Sequence, residues 1–141
     1  MYSTTTFVVN YTRRCSDTWQ WAGKFRKSGK NIGCDWTQIG VQLRQLFGNV
    51  SYWIEHDVYP LDEVATRFHH QLVWIHPFAN GNGRHARLMA DLLLRQLGGT
   101  NFSWGNSANL VAATEARKRY IDALRAADLG DYSELIAFVR S

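Results

Sequence analysis

The residues with the clearest chemical potential lie in one short segment, HPFANGNGRHAR, at positions 76–87. Gly81 and Gly83 permit backbone angles and close approaches that side chains would block, so the segment can aim several N–H groups at one point. Arg84 and Arg87 fall in the first turn of a predicted helix, where the helix dipole disfavours cations. An anion bound at this turn would attract the N–H groups, the dipole and both arginines together. The pattern therefore indicates a phosphate-binding loop.

His76 stands at the other side of this loop. An imidazole can take a proton near neutral pH, so His76 could act as general base for a hydroxyl that attacks a bound phosphate. The same residues also fit a plain turn between two helices, in which His76 caps the first helix and the arginines are solvated. The residues alone leave both interpretations open.

Two helices must position the loop, and apolar spacing predicts both. Residues 61–75 carry apolar side chains three and four positions apart, which is typical of a buried helix face. Pro77 ends that helix, because it disfavours helical geometry at His76. Residues 83–97 show the same spacing and are followed by two glycines, which favour a helix stop. The loop thus joins two amphipathic helices.

The remaining elements are predicted from weaker signals. Further helices are expected over residues 36–47, 107–128 and 132–140. Asp131 and Glu134 resemble a capping box for the last of them. The segment from Gly23 to Gly33 has a Ser-Gly pair at its centre, which predicts a small exposed hairpin. Residues 1–9 belong to no clear period, and we expect them to be disordered or atypical.

Composition limits the function classes. The chain has 141 residues, 45% of them hydrophobic and 13% aromatic, which suits one folded domain and excludes a disordered chain. Its net charge of +4 is compatible with phosphates or nucleic acid but selects neither. Two cysteines without a disulfide framework, and no signal peptide or long apolar run, predict a cytoplasmic protein without a membrane anchor.

These residues carry a resemblance to a known family. Positions 76–87 resemble the active-site motif of the Fic (Fido) family, His-Pro-Phe-x-Asp/Glu-Gly-Asn-Gly-Arg-x-x-Arg, and depart from it only at Asn80. WAGKFR at 21–26 resembles the lead into the family's flap hairpin, and 67–78 and 120–139 resemble its central and closing helices. NGNGRHAR and HHQLVWIHPF also resemble the bacterial proteins called mobile mystery protein B. The resemblance implies an all-α, Fic-type helical bundle with a small β-hairpin flap.

The resemblance also implies an activity and roles for the motif residues. Fic enzymes typically transfer AMP from ATP to a Ser, Thr or Tyr hydroxyl of another protein. His76 would be the general base, Arg84 would hold the β-phosphate and Arg87 the γ-phosphate. The anion hole for the α- and β-phosphates would be formed by Gly81, Asn82 and Gly83. Phe78 would pack into the core and hold the loop in shape.

The flap hairpin is expected over residues 24–32. The resemblance implies that it pairs with an extended segment of the target protein and presents its hydroxyl to His76, as an edge strand can. Its target-binding residues would be Lys30, Asn31 and Ile32, with Ile32 clamping a target side chain. The basic run formed by Lys24, Arg26, Lys27 and Lys30 is otherwise the solvated tip of a hairpin.

Asn80 is the departure with chemical consequences. In the family this position is a carboxylate that binds the Mg²⁺ bridging the phosphates, and an amide oxygen is a weaker ligand for a hard cation. Two outcomes follow: a slower adenylyltransferase, or a catalytically silent protein that binds a nucleotide or a partner. A basic nucleic-acid-binding module is a third interpretation, with affinity that falls steeply as salt rises.

Two further expectations concern inhibition of the activity and zinc binding. The chain has no good copy of the family's inhibitory helix pattern, so inhibition would come from a separate antitoxin-like partner or from a segment missing at the N-terminus. His69, His70 and His76 suggest zinc, but no acidic or cysteine ligand accompanies them at metal spacing. Core or surface histidines explain them better.

Overall fold

The computed structural model describes residues 24–29, 33–106, 110 and 114–141. Within these ranges the regular structure is helical and no strand is present, which confirms the all-α class. The helices are α1 (Ile39–Glu55), α2 (Leu61–Ile75), α3 (Asn82–Gln96), α4 (Glu115–Asp128) and α5 (Ser133–Val139). Two 3-10 turns, Trp36–Gln38 and Trp104–Asn106, precede α1 and follow α3.

Helix α2 lies at the centre of the bundle, in contact with α1, α3 and α5. One apolar cluster fills the space between α1, α2 and α3, with Leu46, Phe47, Phe68, Leu72 and Met89 among its members. A second involves α2, α3, α4 and α5, with Ala65, Leu94, Tyr120, Leu135 and Phe138 among its members. Because α2 contributes to both clusters, the loop that follows it starts from a well-packed support.

The predicted helix bounds near the loop agree closely with the structure. Residues 61–75 form α2 as predicted, and α3 starts and ends one residue earlier than the predicted 83–97. The helix predicted over 36–47 is too short, because α1 continues to Glu55. The helix continues through Gly48, which faces open space, with nothing within 4 Å of the point where a Cβ would lie. Val50, two residues further on, is fully buried.

The two C-terminal helices differ more from expectation. Helix α4 begins at Glu115, with the Thr114 side chain accepting from the Arg117 N–H; the first part of the predicted 107–128 helix falls mostly outside the described residues. The capping box predicted for α5 is wrong, since Tyr132 is the N-cap and provides no side-chain bond. Asp131 instead accepts from the N–H and hydroxyl of Ser133.

Several predictions concern parts of the chain that the structure does not describe. Residues 1–9 lie outside the described ranges, and so do Lys30, Asn31 and Ile32 of the expected flap. Residues 24–29 are described and form no regular element. Among the helices that are described, none combines the length and apolar character needed to cross a bilayer.

Candidate active site

His76 ends α2 in a left-handed backbone conformation, with φ 53° and ψ 60°. Its N–H still donates to the Leu72 carbonyl at 3.2 Å, so the helix closes normally before the chain turns. Pro77 prevents continuation, as predicted from the sequence. A left-handed residue with a side chain carries a steric cost, and such positions cluster at functional sites.

The loop after His76 is closed by the side chain of Asn82. Its Oδ1 accepts from the Phe78 N–H and its Nδ2 donates to the Phe78 carbonyl, both at 2.8 Å. Phe78 itself is 1% exposed and packs edge-on against His85, with 4.7 Å between ring centroids. The core role predicted for Phe78 is confirmed. Because these two bonds hold the Asn82 side chain against Phe78, we expect its backbone N–H to be the group that meets an anion.

The first turn of α3 is suited to an anion. Gly81 is left-handed, with φ 72°, and precedes the helix without a side-chain cap. The first N–H groups of a helix have no intrahelical acceptors, and here the turn contains no acidic residue to satisfy them. Arg84, in the same turn, is exposed. The N–H groups and the guanidinium therefore favour the same ligand charge.

Arg87 points back towards this turn. Its Nη1 lies 3.4 Å from the point where a side chain on Gly83 would place its Cβ, so the absence of a side chain at Gly83 leaves room for the guanidinium. On its other side, the Arg87 Cζ is 5.8 Å from the centroid of the Tyr120 ring. The structure thus brings Arg87 to the loop and places it beside a buried aromatic ring.

Arg26 is the residue that sequence reasoning missed. Only 4% of it is exposed, so the prediction that the basic run is solvated is wrong for Arg26, although Lys24 and Lys27 are exposed. Within the described residues the guanidinium donates to four backbone carbonyls: Nε to His76 at 2.6 Å, Nη1 to Ser28 at 2.9 Å, and Nη2 to Cys34 and to Ile75. Its position in the WAGKFR resemblance was the one available signal.

These bonds fix the backbone of the histidine. The carbonyls of Ile75 and His76 belong to the last turn of α2, where a cation is favourable because of the helix dipole. The backbone N–H of Arg26 also donates to the Pro77 carbonyl at 2.9 Å. Arg26 therefore joins the segment expected to lead into the flap to the end of the helix that carries His76.

Gly33 adds a steric contact at the same place. A Cβ on Gly33 would lie 2.7 Å from the His76 Cβ, and its φ of +98° is rarely adopted by residues with side chains. A glycine is therefore required by both space and backbone conformation. The chain leaving the flap region passes directly over the histidine.

The other two histidines of the zinc hypothesis serve the core. His69 Nε2 lies 2.7 Å from the Tyr120 hydroxyl. His70 binds the Tyr132 hydroxyl through Nδ1 at 2.9 Å and Asp128 through Nε2 at 2.8 Å. In the described part of the chain no three His, Cys, Asp or Glu side chains form a possible metal cluster. The interpretation of His69 and His70 as core histidines is confirmed.

Burial keeps two histidines near the loop uncharged. It lowers the pKa of His69 to about 3 and that of His85 to about 4. Burial also raises the pKa of Tyr120 to about 12, an effect that the neighbouring Arg87 partly offsets. At neutral pH the charge behind the loop therefore comes from Arg87 rather than from the aromatic side chains around it.

We expect the protein to lose stability as the solution becomes acidic. Both histidines are neutral in the fold, whereas in the unfolded chain they take up protons below about pH 6.5. The unfolded state then binds more protons, so the free energy of unfolding falls, by up to about 2 kcal/mol for each histidine at about pH 5. Urea unfolding measured at neutral pH and at about pH 5 tests this.

The variant His85→Leu is the matched control, because leucine cannot be protonated. It should lose clearly less stability on acidification than the parent protein. An equal loss in both proteins would show that His85 does not titrate as its burial implies.

The structure therefore brings together most of the predicted site residues. His76, Gly81, Asn82, Gly83, Arg84 and Arg87 lie on one loop and the helix turns at its two ends. Asn80 is exposed on the same loop, where its side chain can reach solvent. The predicted flap residues fall outside the described chain, and their contribution to the site stays a prediction.

Comparison with known proteins identifies the family. Residues 6–94 match the model of the Fic/DOC family, and this range contains the whole loop. The chain belongs to the Fic/DOC family. Protein adenylyltransferase fic-1 of Caenorhabditis briggsae is 30% identical over 122 residues, which make up 84% of this chain and 22% of the relative. Protein adenylyltransferase Fic of Aedes aegypti is 28% identical over 121 residues, 83% of this chain and 22% of the relative.

Solved structures give the same fold. Fic-1 from C. elegans superimposes with a TM-score of 0.66 at 24% identity, covering 94% of this Fic chain and 38% of the solved one. A variant of that protein gives a TM-score of 0.68 at 26% identity, with 99% and 40% covered. The match covers 22% of the length of each of these two curated relatives. This Fic chain thus spans about a fifth of their length.

Proposed function

We propose that this Fic chain is a protein adenylyltransferase that moves AMP from ATP to a Ser, Thr or Tyr hydroxyl of a target protein. The observation that carries the proposal is the arrangement of the loop: His76 is fixed at the end of α2, and an uncapped α3 start with Arg84 and Arg87 lies across the turn. Relatives named protein adenylyltransferases support the assignment of chemistry. The fold alone would not, since one fold supports many functions.

The proposed reaction is a single displacement at the α-phosphorus. His76 takes the proton of the target hydroxyl, the hydroxyl oxygen forms a bond to the α-phosphorus, and the bond from that phosphorus to the β-phosphate oxygen breaks. Pyrophosphate leaves with the negative charge. The N–H groups at the start of α3 and the two arginines stabilise that charge, so positioning supplies most of the catalysis. Arg84 would bind the β-phosphate and Arg87 the γ-phosphate.

Asn80 does not make a magnesium site by itself. It offers one neutral oxygen on an exposed loop, and the described residues hold no acidic cluster beside it. We therefore treat Mg²⁺ as part of the substrate, bound mainly by the phosphates of ATP, with the Asn80 amide oxygen as its contact on the protein.

Labelled ATP tests the proposal. The label that the added protein contributes is the difference from the same cell lysate without it. This difference should appear with ATP labelled on the α-phosphate and not with ATP labelled on the γ-phosphate, because pyrophosphate leaves. Label from both positions would indicate another phosphoryl transfer, and label from the γ-phosphate alone would indicate a kinase. Either result would overturn the proposal.

A second candidate function is supported by Asn80. A Fic chain without the acidic ligand could bind ATP or a partner and transfer nothing. Retention of ATP on the purified protein, with no label transferred to any protein, would support this silent binder. The nucleic-acid alternative loses support, because Arg26 of the basic run is buried.

Replacing Asn80 with aspartate should raise the transfer rate, by about tenfold, and make transfer more dependent on Mg²⁺. The reason is that an anionic oxygen attracts a hard cation more strongly than an amide does. Transfer and ATP affinity are measured with and without Mg²⁺ in both proteins. Asn49→Asp, an exposed residue on α1, is the control for an added charge elsewhere.

The opposite outcome is also informative. If Asn80→Asp weakens ATP binding and neither protein shows any transfer, the new carboxylate repels phosphates without holding a metal. The silent binder would then be the better function.

The remaining functional proposals concern partners and location. The partner is a protein with a hydroxyl to modify, and a separate antitoxin-like inhibitor remains part of the proposal because the sequence has no good inhibitory helix pattern. A bacterial source and a cytoplasmic location are proposed with it, on the resemblance of the motif and the lack of a disulfide framework. The two relatives described above, from Caenorhabditis briggsae and Aedes aegypti, are animal proteins, so they lend the bacterial source no support.

A further inference from the structure

A groove with a volume of about 630 Å³ lies between α1, α2 and the turn that joins α4 to α5. Its walls include Gln42 of α1, Trp74 of α2, Asp128 at the end of α4 and Gly130 in the turn. Among the described residues, none of the loop at 76–87 lines this groove. Nothing in the proposed reaction uses it, so the groove is a separate feature of the molecule.

A chain of hydrogen bonds holds the Asp128 carboxylate at this groove. The Gln71 amide donates to the Tyr132 hydroxyl at 3.1 Å, and that hydroxyl lies 2.9 Å from Nδ1 of His70. Nε2 of the same ring lies 2.8 Å from Oδ1 of Asp128. Because the hydroxyl accepts from the amide, its own proton is free to be donated to Nδ1, and Nε2–H then donates to the carboxylate. This tautomer, assigned from the network, partners both ring nitrogens and leaves the imidazole neutral.

The anchored carboxylate keeps its charge and meets solvent. His70 is 5% exposed, whereas the Asp128 side chain is 54% exposed, so a neutral ring holds the carboxylate from the core side. Within the described ranges no lysine or arginine forms an ion pair with Asp128. Helix α4 also ends at Asp128, and the C-terminal end of a helix adds negative potential. The groove therefore favours a cation.

Trp74 supplies an aromatic wall for that cation. It is 44% exposed, and the face of an indole attracts positive charge. A guanidinium suits the groove better than an ammonium, because its plane stacks on an aromatic ring while two N–H groups bind a carboxylate. The same combination occurs nearby: the Arg67 Cζ is 4.2 Å from the Tyr132 ring centroid, and its guanidinium pairs with Glu63 at 2.9 Å. Since Glu63 offsets that charge, Arg67 repels an incoming cation little.

We propose that this groove binds an arginine side chain of a partner protein, with the guanidinium between the Trp74 indole and the Asp128 carboxylate. A protein is the expected occupant because Leu129, directly after Asp128, is 91% exposed and extends the apolar surface beyond the reach of a small amine. Tryptophan and arginine are also enriched among the residues that dominate binding energy in protein interfaces. The proposal does not depend on adenylyltransferase activity.

An NMR titration of the full chain with the peptide acetyl-Gly-Arg-Gly-amide tests the proposal. The backbone amides of Gly130 and Gln42 report on the groove. Two matched peptides carry lysine or citrulline in place of arginine, and citrulline has nearly the shape of arginine without its charge. We expect saturable shifts with the arginine peptide, binding of the lysine peptide that is at least about threefold weaker, and no saturable shift with the citrulline peptide.

Variants of the two groove residues locate the binding. Asp128→Asn and Trp74→Leu should each weaken binding of the arginine peptide by about three- to tenfold. The matched controls are Asp122→Asn, another half-exposed aspartate on α4 at 47%, and Trp36→Leu, a tryptophan of similar exposure at 42%. Both controls should bind the peptide like the parent. Thermal midpoints establish that the variants are folded, and Asp128→Asn alone decides the point if Trp74→Leu does not fold.

Three results would contradict the proposal. Absence of saturable shifts with the arginine peptide, or equal binding of the citrulline peptide, would show that the groove does not select a cation. Parent affinity in folded Asp128→Asn would show that the peptide binds elsewhere. Equal affinity for the lysine peptide would contradict the choice of a guanidinium. None of these results bears on AMP transfer, so the proposed function is tested separately.

Discussion

Replacing His76 with asparagine should reduce AMP transfer by at least about 100-fold, the contribution typical of a general base, while ATP affinity stays within about twofold. Asparagine is the preferred variant because it tolerates the left-handed backbone that His76 adopts, so the change removes the base without adding backbone strain. His76→Ala should have the same effect on transfer and a larger effect on stability. Initial rates with ATP labelled on the α-phosphate provide the measurement.

His56→Ala is the control for this pair. His56 is exposed at the end of α1, away from the loop, so its loss should leave transfer unchanged. If His76→Asn retained the parent rate, His76 would have no part in proton transfer. If it instead lost ATP affinity, the histidine would be a nucleotide contact rather than a base.

Replacing Arg26 with lysine should have the second large effect, on stability and on catalysis together. Lysine keeps the charge, but its ammonium cannot reach four carbonyls spread around a planar fork. Buried carbonyls are then left without donors, which should lower the free energy of unfolding by about 2–4 kcal/mol. Because the end of α2 loosens, the rate constant for transfer should fall by about tenfold or more while the KM for ATP changes little.

Two measurements separate these effects. Urea unfolding gives the stability, and transfer rates are taken at a temperature at which Arg26→Lys is fully folded. Lys27→Ala is the matched control, because it removes an exposed cation next to Arg26 and should alter neither quantity. A folded Arg26→Lys protein with the parent rate constant would mean that Arg26 supports the fold and does not position His76.

The sequence predicts those parts of the fold that local patterns specify. Helix α2 could be assigned at both ends, because its apolar spacing is regular and Pro77 stops it. The C-terminal end of helix α1 could not be assigned, because the helix continues through Gly48, which lies at a solvent-facing position. The first turn of α3 was predicted from its glycines and arginines, since these residue types are chemically specific.

Long-range contacts account for what the sequence did not reveal. Arg26 binds the carbonyls of residues up to 50 positions away, and a backbone carbonyl looks the same whatever residue carries it. Tyr120 and His69 are 51 positions apart, and each alone fits an ordinary buried helix position. No spacing rule connects such partners, so only the packing of the helices reveals them.

The two hydrogen bonds between the Asn82 side chain and the Phe78 backbone have a kinetic consequence. Both hydrogen bonds are internal to the loop, so the turn has its shape before any nucleotide arrives. The entropy of ordering the loop is then lost during folding and not during association. Nucleotide binding should accordingly follow a single exponential whose observed rate constant rises linearly with nucleotide concentration. This is the behaviour of a ligand that binds a preformed site without a conformational change of the loop.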